Sequence, residues 1–464
     1  MGGAAMFDKI LIANRGEIAV TIIRACRDMG IRTVAVCSEA DKTALHTQLA
    51  DECLCIGPAA SKDSYLNPQA ILTAAAITGA QAIHPGFGFL SENAAFARMC
   101  QKCNIKFIGP DYRIIERMGD KAEARKTAAE AGVPVVPGSA DIVGTLADAQ
   151  KAAEQIGYPI MVKASAGGGG RGMRIAMTEE DLPQAFQTAG SEAVACFGDG
   201  RVYLEKFVRE PHHIEIQLLA DEHGNVIHLG ERDCSIQRRN QKILEEARSP
   251  FSSDELREKM GKAAVKLARH VGYTGVGTIE FLVDADHNFY FMEMNTRIQV
   301  EHPISEAITG VNLIQEQIRS AAGLKLQLKQ KDIVFSGHAI ECRINAEDPV
   351  HSFRPSPGTI RSLHLPGGPG VRVDGAIYQG YTVPPYYDSL LAKLIVYAPD
   401  RKQAIARMRR ALTEFLISGV ETNIDFHLAI LRDQDFIEGN YNIGYLGQKT
   451  DELLGQMNPY RQDA

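Results

Sequence analysis

The chain has 464 residues, of which 45% are hydrophobic and 23% charged, and its formal net charge is -7. This length is too great for one compact core and predicts two to four domains, while the acidic balance argues against a nucleic-acid-binding surface. No apolar run reaches membrane-spanning length, and the start "MGGAAMFDKI" lacks the apolar core of a secretory signal. We therefore expect a cytoplasmic protein that binds neither membranes nor nucleic acid.

The nine cysteines are an odd number, and most lie within apolar stretches. This pattern is typical of reduced, buried thiols. Cys53 with Cys55, and Cys100 with Cys103, are closely spaced. No further cysteine pair with histidines lies at the spacing that would complete a zinc site. Metal binding through sulfur is therefore not expected.

The N-terminal segment alternates strand and helix patterns. "KILIAN" predicts a strand, "EIAVTIIRACRDMG" an amphipathic helix that ends at Gly30, and "RTVAVCS" a second strand. This order is typical of a parallel α/β domain. The turn "NRGE" stands where a dinucleotide-binding fold carries G-x-G-x-x-G, so a nicotinamide enzyme is disfavoured. In "QAIHPGFGFLSEN" a strand leads through two glycines into a helix that we expect Ser91 to cap.

An Ala-rich helix follows in "MGDKAEARKTAAEAG". Asp120 is its predicted N-cap, Glu123 completes a capping box, and Gly132 ends it. Lys121 then lies in the first turn, where the helix dipole disfavours a cation. Two interpretations are open: a solvated lysine, which this feature alone favours, or a lysine held by a bound anion.

The stretch "KASAGGGGRGMR", from Lys163 to Arg174, places four glycines between cations. The apolar strand patterns on both sides argue against a flexible linker and predict a glycine-tipped hairpin. No Gly-Lys-Ser/Thr follows, so the loop is not a Walker A motif. A loop that covers phosphates is favoured over a structural hairpin tip, because bare backbone N–H groups approach anions closely.

Turn signals divide the rest of the chain. The Pro- and Gly-rich stretch 133–138 predicts a hinge, followed by a small lid unit that ends near Glu205. A third section of strands and helices runs to about Leu328. The remainder is turn-rich and is expected to be mainly β, with a last helix around 403–416.

The stretch "EMNTRIQVE" is the richest in candidate site residues. In an extended chain its polar members would share one face. Carboxylate and amide oxygens are ligands that Mg²⁺ accepts, so we assign Glu280, Glu293 and Asn295 to a metal. Arg297 can bind a planar oxyanion, and Glu301 is a candidate general base. A half-buried strand with a solvated polar side is the alternative.

Cations are concentrated in "ERDCSIQRRNQKILEE". This stretch is interpreted as a charged, solvated loop or as an anion-binding wall. His213 would more often be structural than functional. The strand end "YLEKFV" is a candidate adenine contact, because backbone groups there can hydrogen-bond a base.

Taken together, eight segments resemble the biotin carboxylases, a family of ATP-grasp enzymes, and lie in the family's order over nearly the whole chain. The segments are "IANRGEIA", "HPGFGFLSEN", "MGDK", "KASAGGGGRGMR", "ERDCSIQRRNQK", "EMNTRIQVEHP", "GHAIECRINAEDP" and "GYTVPPYYDS". The resemblance implies an N-terminal Rossmann-like α/β domain at 1–117, an ATP-grasp domain at 118–332 with a mobile lid at about 135–205, and a C-terminal, mainly β domain at 333–464.

The resemblance also implies Mg-ATP-driven activation of bicarbonate to carboxyphosphate and carboxylation of biotin, with Mn²⁺ as an alternative metal. Carried over residue by residue, Glu301 is the base, Arg343 stabilises the biotin enolate, and Lys242, Arg297, Gln299 and Val300 form the bicarbonate pocket. The implied ATP contacts are Lys121, Lys163, Gly168, Gly169, Gly170, Glu205, Lys206, His213, Gln237 and Asn240. Ala166, Asn240 and Phe87 depart from commoner family spellings.

The chain lacks the Met-Lys-Met sequence that carries biotin. We therefore expect biotin to be carried by a separate biotin carboxyl carrier protein, with carboxyltransferase subunits, as in bacterial acetyl-CoA carboxylase and fatty acid synthesis. The resemblance also implies a homodimer. The alternatives are the biotin carboxylase part of a propionyl-CoA, pyruvate or urea carboxylase, another ATP-grasp carboxylate–amine ligase, and a non-catalytic nucleotide-sensing scaffold.

Overall fold

The computed structural model describes residues 6–139, 142–165 and 172–457. Its N-terminal part is an α/β unit with a five-stranded sheet of order β3-β2-β1-β4-β5, in which all neighbours are parallel. Its elements are β1 Lys9–Ile12, α1 Gly16–Asp28, β2 Arg32–Ser38, α2 Leu45–Leu49, β3 Glu52–Gly57, α3 Pro68–Thr78, β4 Ala82–His84, α4 Ala94–Lys102, β5 Lys106–Phe107 and α5 Tyr112–Gly119.

The first helix follows its hydrophobic pattern, with Ile18, Ile22 and Cys26 buried on one stripe. Gly30 follows the helix at φ +72, a left-handed conformation that glycine adopts without strain. The prediction that Ser91 caps helix α4 is wrong. That helix begins at Ala94, and its N-cap is Asn93, whose side chain accepts from the backbone N–H of Phe96. Ser91 lies two residues before this N-cap and is buried in the preceding turn.

The next elements are α6 Lys121–Glu130, α7 Leu146–Ile156, β6 Ile160–Ala164, β7 Met173–Ala176, α8 Leu182–Phe197 and β8 Val202–Lys206. Asp120 caps α6 as predicted, accepting from the N–H groups of Ala122 and Glu123. The antiparallel strands β7-β6-β8 pack with α7 and α8 around a small separate core that includes Val162, Leu182 and Leu204. The lid unit therefore has a core of its own.

A large antiparallel sheet of order β13-β12-β9-β10-β11-β14-β21-β19 joins the middle of the chain to its C-terminal part. The middle elements are β9 His212–Ala220, β10 Val226–Arg238, β11 Gln241–Ala247, α9 Asp254–Val271, β12 Gly275–Val283, β13 Phe289–Asn295, α10 His302–Thr309 and α11 Leu313–Ala321. Strand β11 pairs directly with β14, so one continuous sheet positions side chains from both parts.

The C-terminal part contains β14 His338–Asn345, β15 Glu347–Asp348, β16 Arg354–Pro355, β17 Gly358–Thr359, β18 Ser362–His364, β19 Val371–Gly375, β20 Thr382–Val383, β21 Leu390–Ala398, α12 Arg401–Glu414, β22 Leu416–Ser418, α13 Ile424–Ile430, α14 Gln434–Glu438 and α15 Tyr445–Gly455. The expectation that the helix near 403–416 is the last one is wrong. Within the described residues three further helices follow, and apolar residues such as Phe426, Phe436 and Leu453 pack them into the C-terminal core.

In the part of the chain that the structure describes, no helix has the length and apolar character needed to cross a membrane.

Candidate active site

A row of charged side chains crosses four neighbouring strands of the large sheet. Glu293 on β13 stands opposite Glu280 on β12, Glu280 opposite Glu215 on β9, and Glu215 opposite Arg232 on β10. Directly opposite residues of antiparallel strands point to the same face. The sheet therefore gathers three carboxylates and one guanidinium on one face, and the last three of these residues are buried.

Lys242 on β11 reaches over this row. Its Nζ donates to Glu215 Oε2 at 2.6 Å, to Glu280 Oε1 at 2.9 Å and to Glu301 Oε1 at 2.7 Å. All three donor positions of the ammonium are thus used. Burial disfavours the charged form, but the surrounding acidic groups outweigh it and raise the pKa of Lys242 well above its usual value. Lys242 is therefore a cation at neutral pH, at the centre of the site.

Glu301 lies where the chain turns into α10, at the N-cap position. The prediction of an extended chain through Glu301 is wrong, because strand β13 ends at Asn295. The chain leaves the strand where the backbone N–H of Thr296 donates to Glu92 Oε1 at 3.1 Å. The helix then begins at His302, with Pro303 in its first turn. The solvated-strand alternative also fails, since Glu301 is 2% exposed.

Arg343 on β14 holds the second oxygen of Glu301. Its guanidinium donates to Glu301 Oε2 at 2.9 Å and to Glu245 Oε1 at 2.7 Å. Burial raises the pKa of Glu301, but Lys242 and Arg343 outweigh it and hold that pKa well below the usual value. Glu245 behaves oppositely: burial dominates the opposing effect of Arg343 and raises its pKa to about 7.

Arg232 is completely buried and organises the floor of the site. It donates to Glu215 Oε1 at 2.6 Å, to Gln217 Oε1 at 2.6 Å and to Gln299 Oε1 at 2.7 Å. Gln299 in turn donates from Nε2 to Glu280 Oε1 at 2.8 Å. The interpretation of this basic stretch as a solvated loop is therefore wrong, because most of it forms the buried strands β10 and β11.

Arg297 connects the site to the N-terminal unit. Its Nε donates to Glu92 Oε2 at 2.9 Å, and another guanidinium nitrogen donates to Asn295 Oδ1 at 3.1 Å. Glu92 belongs to the "HPGFGFLSEN" loop. The guanidinium of Arg297 is thereby brought beside the predicted metal ligands.

The predicted metal ligands are also close together. Asn295 Nδ2 lies 2.9 Å from Glu280 Oε1, and Glu293 faces Glu280 across the strand pair. Burial raises the pKa of Glu280, but Lys242 and His213 outweigh it, so this carboxylate stays ionised. Two carboxylates and an amide oxygen are hard donors of the kind that Mg²⁺ takes. In this structure the amide oxygen of Asn295 accepts from Arg297, so it would exchange this contact to bind a metal.

The predicted nucleotide contacts come from the lid unit, from α6 and from the large sheet. Lys163 donates to Glu205, and the Nζ of Lys121 lies 3.4 Å from Glu293 Oε2. His213 belongs to the site: its Nδ1 accepts from Gln237 Nε2 at 2.7 Å, and its Nε2 lies 3.0 Å from Glu280 Oε2.

Two predicted residues point elsewhere. The Nζ of Lys206 donates to the carbonyl oxygens of Gly157 and Tyr158, both at 2.8 Å, so its side chain braces the lid unit. Asn240 is exposed in the turn between β10 and β11, at φ +63. Gly168, Gly169, Gly170 and Ala166 lie outside the described residues.

Val300 is contacted by Lys393, a fully buried lysine on β21. The Nζ of Lys393 donates to the carbonyl oxygen of Val300 at 2.8 Å and lies 3.1 Å from Glu17 Oε1 on α1. Helix α1 of the N-terminal unit therefore supports the loop that presents Glu301.

The sequence did not single out Glu92, Glu215, Glu245 or Lys393. It also gave no sign that Arg232 would be completely buried. One signal was present for Glu215: "HIEIQ" carries polar residues at every second position of an apolar strand. No local pattern indicated Lys393, because its partners Glu17 and Val300 are remote in sequence.

Three family models match most of the chain. The model "Biotin carboxylase, N-terminal domain" matches residues 6–115, "Carbamoyl-phosphate synthase L chain, ATP binding domain" matches 120–329, and "Biotin carboxylase C-terminal domain" matches 341–448. The chain is 57% identical to biotin carboxylase 1 of Bacillus subtilis over 451 residues, 97% of this chain and 100% of the relative.

Relatives with other names are nearly as similar. One pyruvate carboxylase subunit, from Methanothermobacter thermautotrophicus, is 54% identical, covering 96% of this chain and 90% of the relative. The biotin carboxylase domain of Hydrogenobacter thermophilus 2-oxoglutarate carboxylase, solved as a dimer with MgADP and bicarbonate, is 52% identical with a TM-score of 0.91, covering 97% of this chain and 99% of that one. The chain belongs to the biotin carboxylase family of ATP-grasp enzymes.

Proposed function

We propose that this chain uses MgATP and bicarbonate to carboxylate biotin on a separate carrier protein, through carboxyphosphate. The observation that supports this most strongly is the position of Glu301, whose two oxygens are held by Lys242 and Arg343 beside the Glu280–Glu293 pair. A base, an anion-binding cation and a metal-ligand set are thus brought together, with Glu280 and Glu301 buried and Glu293 partly exposed. This arrangement suits an anionic substrate that must lose a proton next to a nucleotide phosphate.

Bicarbonate is proposed to bind between Lys242, Arg297, Gln299 and Val300. Glu301 would then remove its proton. In the structure, two cations hold the pKa of Glu301 low and make it a weak base. Bicarbonate that accepts a hydrogen bond from Lys242 would weaken the ion pair between Lys242 and Glu301. The pKa of Glu301 would then rise, and Glu301 would become a stronger base. Substrate binding would thereby activate the base.

Glu280, Glu293 and Asn295 are proposed to hold Mg²⁺, which would neutralise charge on the ATP phosphates. Lys121 and Lys163 now pair with Glu293 and Glu205. We expect both ammonium groups to exchange these carboxylates for phosphate oxygens when nucleotide binds. The glycine loop would cover the phosphates and exclude water from the reactive intermediate. Glu205, His213 and Gln237 are proposed to surround adenine and ribose. Lys206 is proposed to contribute through its backbone, since its side chain is bound to Gly157 and Tyr158.

Arg343 is proposed to stabilise the enolate form of the biotin ureido group. Its guanidinium is fixed by Glu245 and Glu301. A planar fork held in this way can donate to an oxyanion without reorganisation.

The proposed partners are a biotin carboxyl carrier protein and carboxyltransferase subunits, with this chain acting as a cytoplasmic homodimer. Acetyl-CoA is the proposed final acceptor. Pyruvate is the second candidate, since the pyruvate carboxylase relative is almost as similar as the Bacillus relative. The proposed domains remain 1–117, 118–332 and 333–464.

The test is phosphate release from MgATP by the purified protein, with and without bicarbonate and free biotin. Release that requires bicarbonate and rises with biotin is the expected result. Release that depends on an amine acceptor and ignores biotin would instead identify a carboxylate–amine ligase, and nucleotide binding without turnover would identify a scaffold. Adding the carrier, transferase and each acyl acceptor separately then tests the acceptor.

A further inference from the structure

Three cysteines form a group on one face of the N-terminal parallel sheet. Cys37 lies on β2, and Cys53 and Cys55 lie on β3. The register pairs Ala35 with Cys53 and Cys37 with Cys55. Because paired residues and residues two apart share a face, all three thiols point the same way.

The three thiols differ in exposure. Cys37 is buried, whereas Cys53 and Cys55 are exposed on the edge strand of the sheet. The Sγ atoms of Cys53 and Cys37 are 3.7 Å apart, while the Sγ of Cys55 lies 3.7 Å from the carbonyl oxygen of Gly57. An oxidant can therefore reach Cys53, and a second thiol lies directly beside it.

We propose that Cys53 is a site of reversible oxidation by hydroperoxides, with Cys37 as the thiol that converts the oxidised sulfur into a disulfide. This inference is independent of the proposed function, since the pair lies in the parallel sheet and the catalytic row lies in the large antiparallel sheet. Sulfur chemistry of this kind needs an exposed thiolate and an adjacent resolving thiol.

The electrostatics of the pair agree with these roles. Hydrogen bonding with Cys37 lowers the pKa of Cys53, against the effect of burial. The same hydrogen bond, together with burial, raises the pKa of Cys37. Cys53 is thus the thiol that ionises more readily, and the thiolate is the form that attacks peroxides.

Two steps complete the reaction. In the first, the Cys53 thiolate attacks the peroxide, an S–O bond forms, the O–O bond breaks, and the departing oxygen leaves as water or alcohol after taking a proton. In the second, the Cys37 sulfur attacks the sulfenic sulfur, an S–S bond forms, the S–O bond breaks, and water leaves with the Cys37 proton. The two thiols lose two electrons and the peroxide gains them, and a dithiol reductant reverses the change.

Peptide mapping of the full chain tests the proposal. Trypsin cleavage after Arg32, Lys42 and Lys62 places Cys37 alone on peptide 33–42 and both edge-strand cysteines on peptide 43–62. After a small excess of hydrogen peroxide and alkylation of remaining thiols, we expect these peptides to be joined, with the loss of two hydrogens. Treatment with dithiothreitol should separate them. Oxidation of Cys53 to sulfinic acid without any joined peptide would overturn the proposal.

Serine variants identify the partners. Cys53→Ser should abolish the joined peptide and Cys55→Ser should keep it; a joined peptide that survives in Cys53→Ser would refute the role of Cys53. Cys37→Ser should leave a Cys53 sulfenic acid that dimedone traps. If that buried substitution prevents folding, the test uses the unsubstituted chain treated with peroxide. Alkylation should then be lost at Cys37 and Cys53 to the same extent. Loss at one cysteine without the other would count against the proposal. Cys196, exposed on α8, controls for general thiol reactivity and should oxidise more slowly than Cys53.

Discussion

Lys242 Nζ lies 2.7 Å from Glu301 Oε1 and joins strand β11 to the start of helix α10. This ion pair is buried, with side-chain exposures of 12% and 2%. A buried carboxylate that also accepts from Arg343 is held in one position. The proposed base is therefore placed before substrate arrives, and it is kept ionised at neutral pH.

Glu301→Gln should abolish most of the bicarbonate-dependent turnover while ATP binding persists. The amide keeps the shape of the carboxylate but cannot take a proton, and loss of a general base typically costs roughly 10²–10⁴-fold in rate. Phosphate release and nucleotide affinity should be measured in parallel. Glu255→Gln, which changes an exposed carboxylate on α9 paired with Lys259, is the matched control. Equal loss of nucleotide binding in Glu301→Gln would contradict the base assignment.

Arg343→Lys should mainly impair the biotin-dependent step. An ammonium cannot reproduce the planar fork that donates to both Glu245 and Glu301. We expect bicarbonate-dependent phosphate release without biotin to persist, and its stimulation by biotin to be lost. If biotin stimulates the variant as strongly as the parent, Arg343 has no role toward biotin.

Much of this site was predictable from the sequence. The β12–β13 pattern placed Glu280, Glu293 and Asn295 together, and cross-strand pairing of the two glutamates follows from two adjacent amphipathic strands. The α/β order at the N-terminus and the Asp120 cap were predicted from local pattern. The resemblance to biotin carboxylases supplied Arg343, which no spacing would have singled out.

The remaining features depend on contacts that no local pattern encodes. Alternating polarity continued past Asn295, but the chain turns there because Glu92, about 200 positions earlier, binds Thr296 and Arg297. Polar residues at every second position do not require a strand. They can also lie in a turn and a buried helix start when residues from other parts of the fold bind their side chains. The role of Lys393 becomes visible only in the folded chain, where β21 packs beside Val300.

Lys393→Met should raise the KM for bicarbonate by roughly tenfold or more, because a charged donor to the Val300 carbonyl is lost. It should also reduce stability, toward the lower end of the roughly 3–5 kcal/mol expected when a buried ion pair is broken. Burial raises the pKa of Glu17 to about 7 despite Lys393, so the orphaned carboxyl can become neutral by taking a proton.

Steady-state kinetics and urea unfolding separate the two effects of Lys393. Lys393→Arg should restore most of the bicarbonate KM if Lys393 positions the loop through its hydrogen bond. Glu17→Gln removes the ion pair but leaves the contact with Val300. If Glu17→Gln raised the KM as much as Lys393→Met, loosening of the N-terminal unit, not loop positioning, would explain the result.

Acid should destabilise the C-terminal part through Glu246. This buried carboxylate accepts from His338 at 2.7 Å, from Tyr441 at 2.8 Å and from Arg401 at 2.8 and 2.9 Å. Burial raises the pKa of Glu246, but Arg401 and His338 outweigh it and lower the pKa from 4.5 to about 2. A carboxylate with a depressed folded-state pKa stabilises the fold above its unfolded-state pKa, and this contribution is lost as pH falls through the interval between the two values.

We therefore expect the free energy of unfolding to fall by on the order of 3 kcal/mol between about pH 4.5 and pH 2 from this group. Urea unfolding followed across this pH range measures the change. Glu246→Gln should lower stability at pH 7 and should flatten the acid limb, since the variant has no proton to take up at this position. An acid limb of unchanged slope in Glu246→Gln would place the acid sensitivity in other carboxylates.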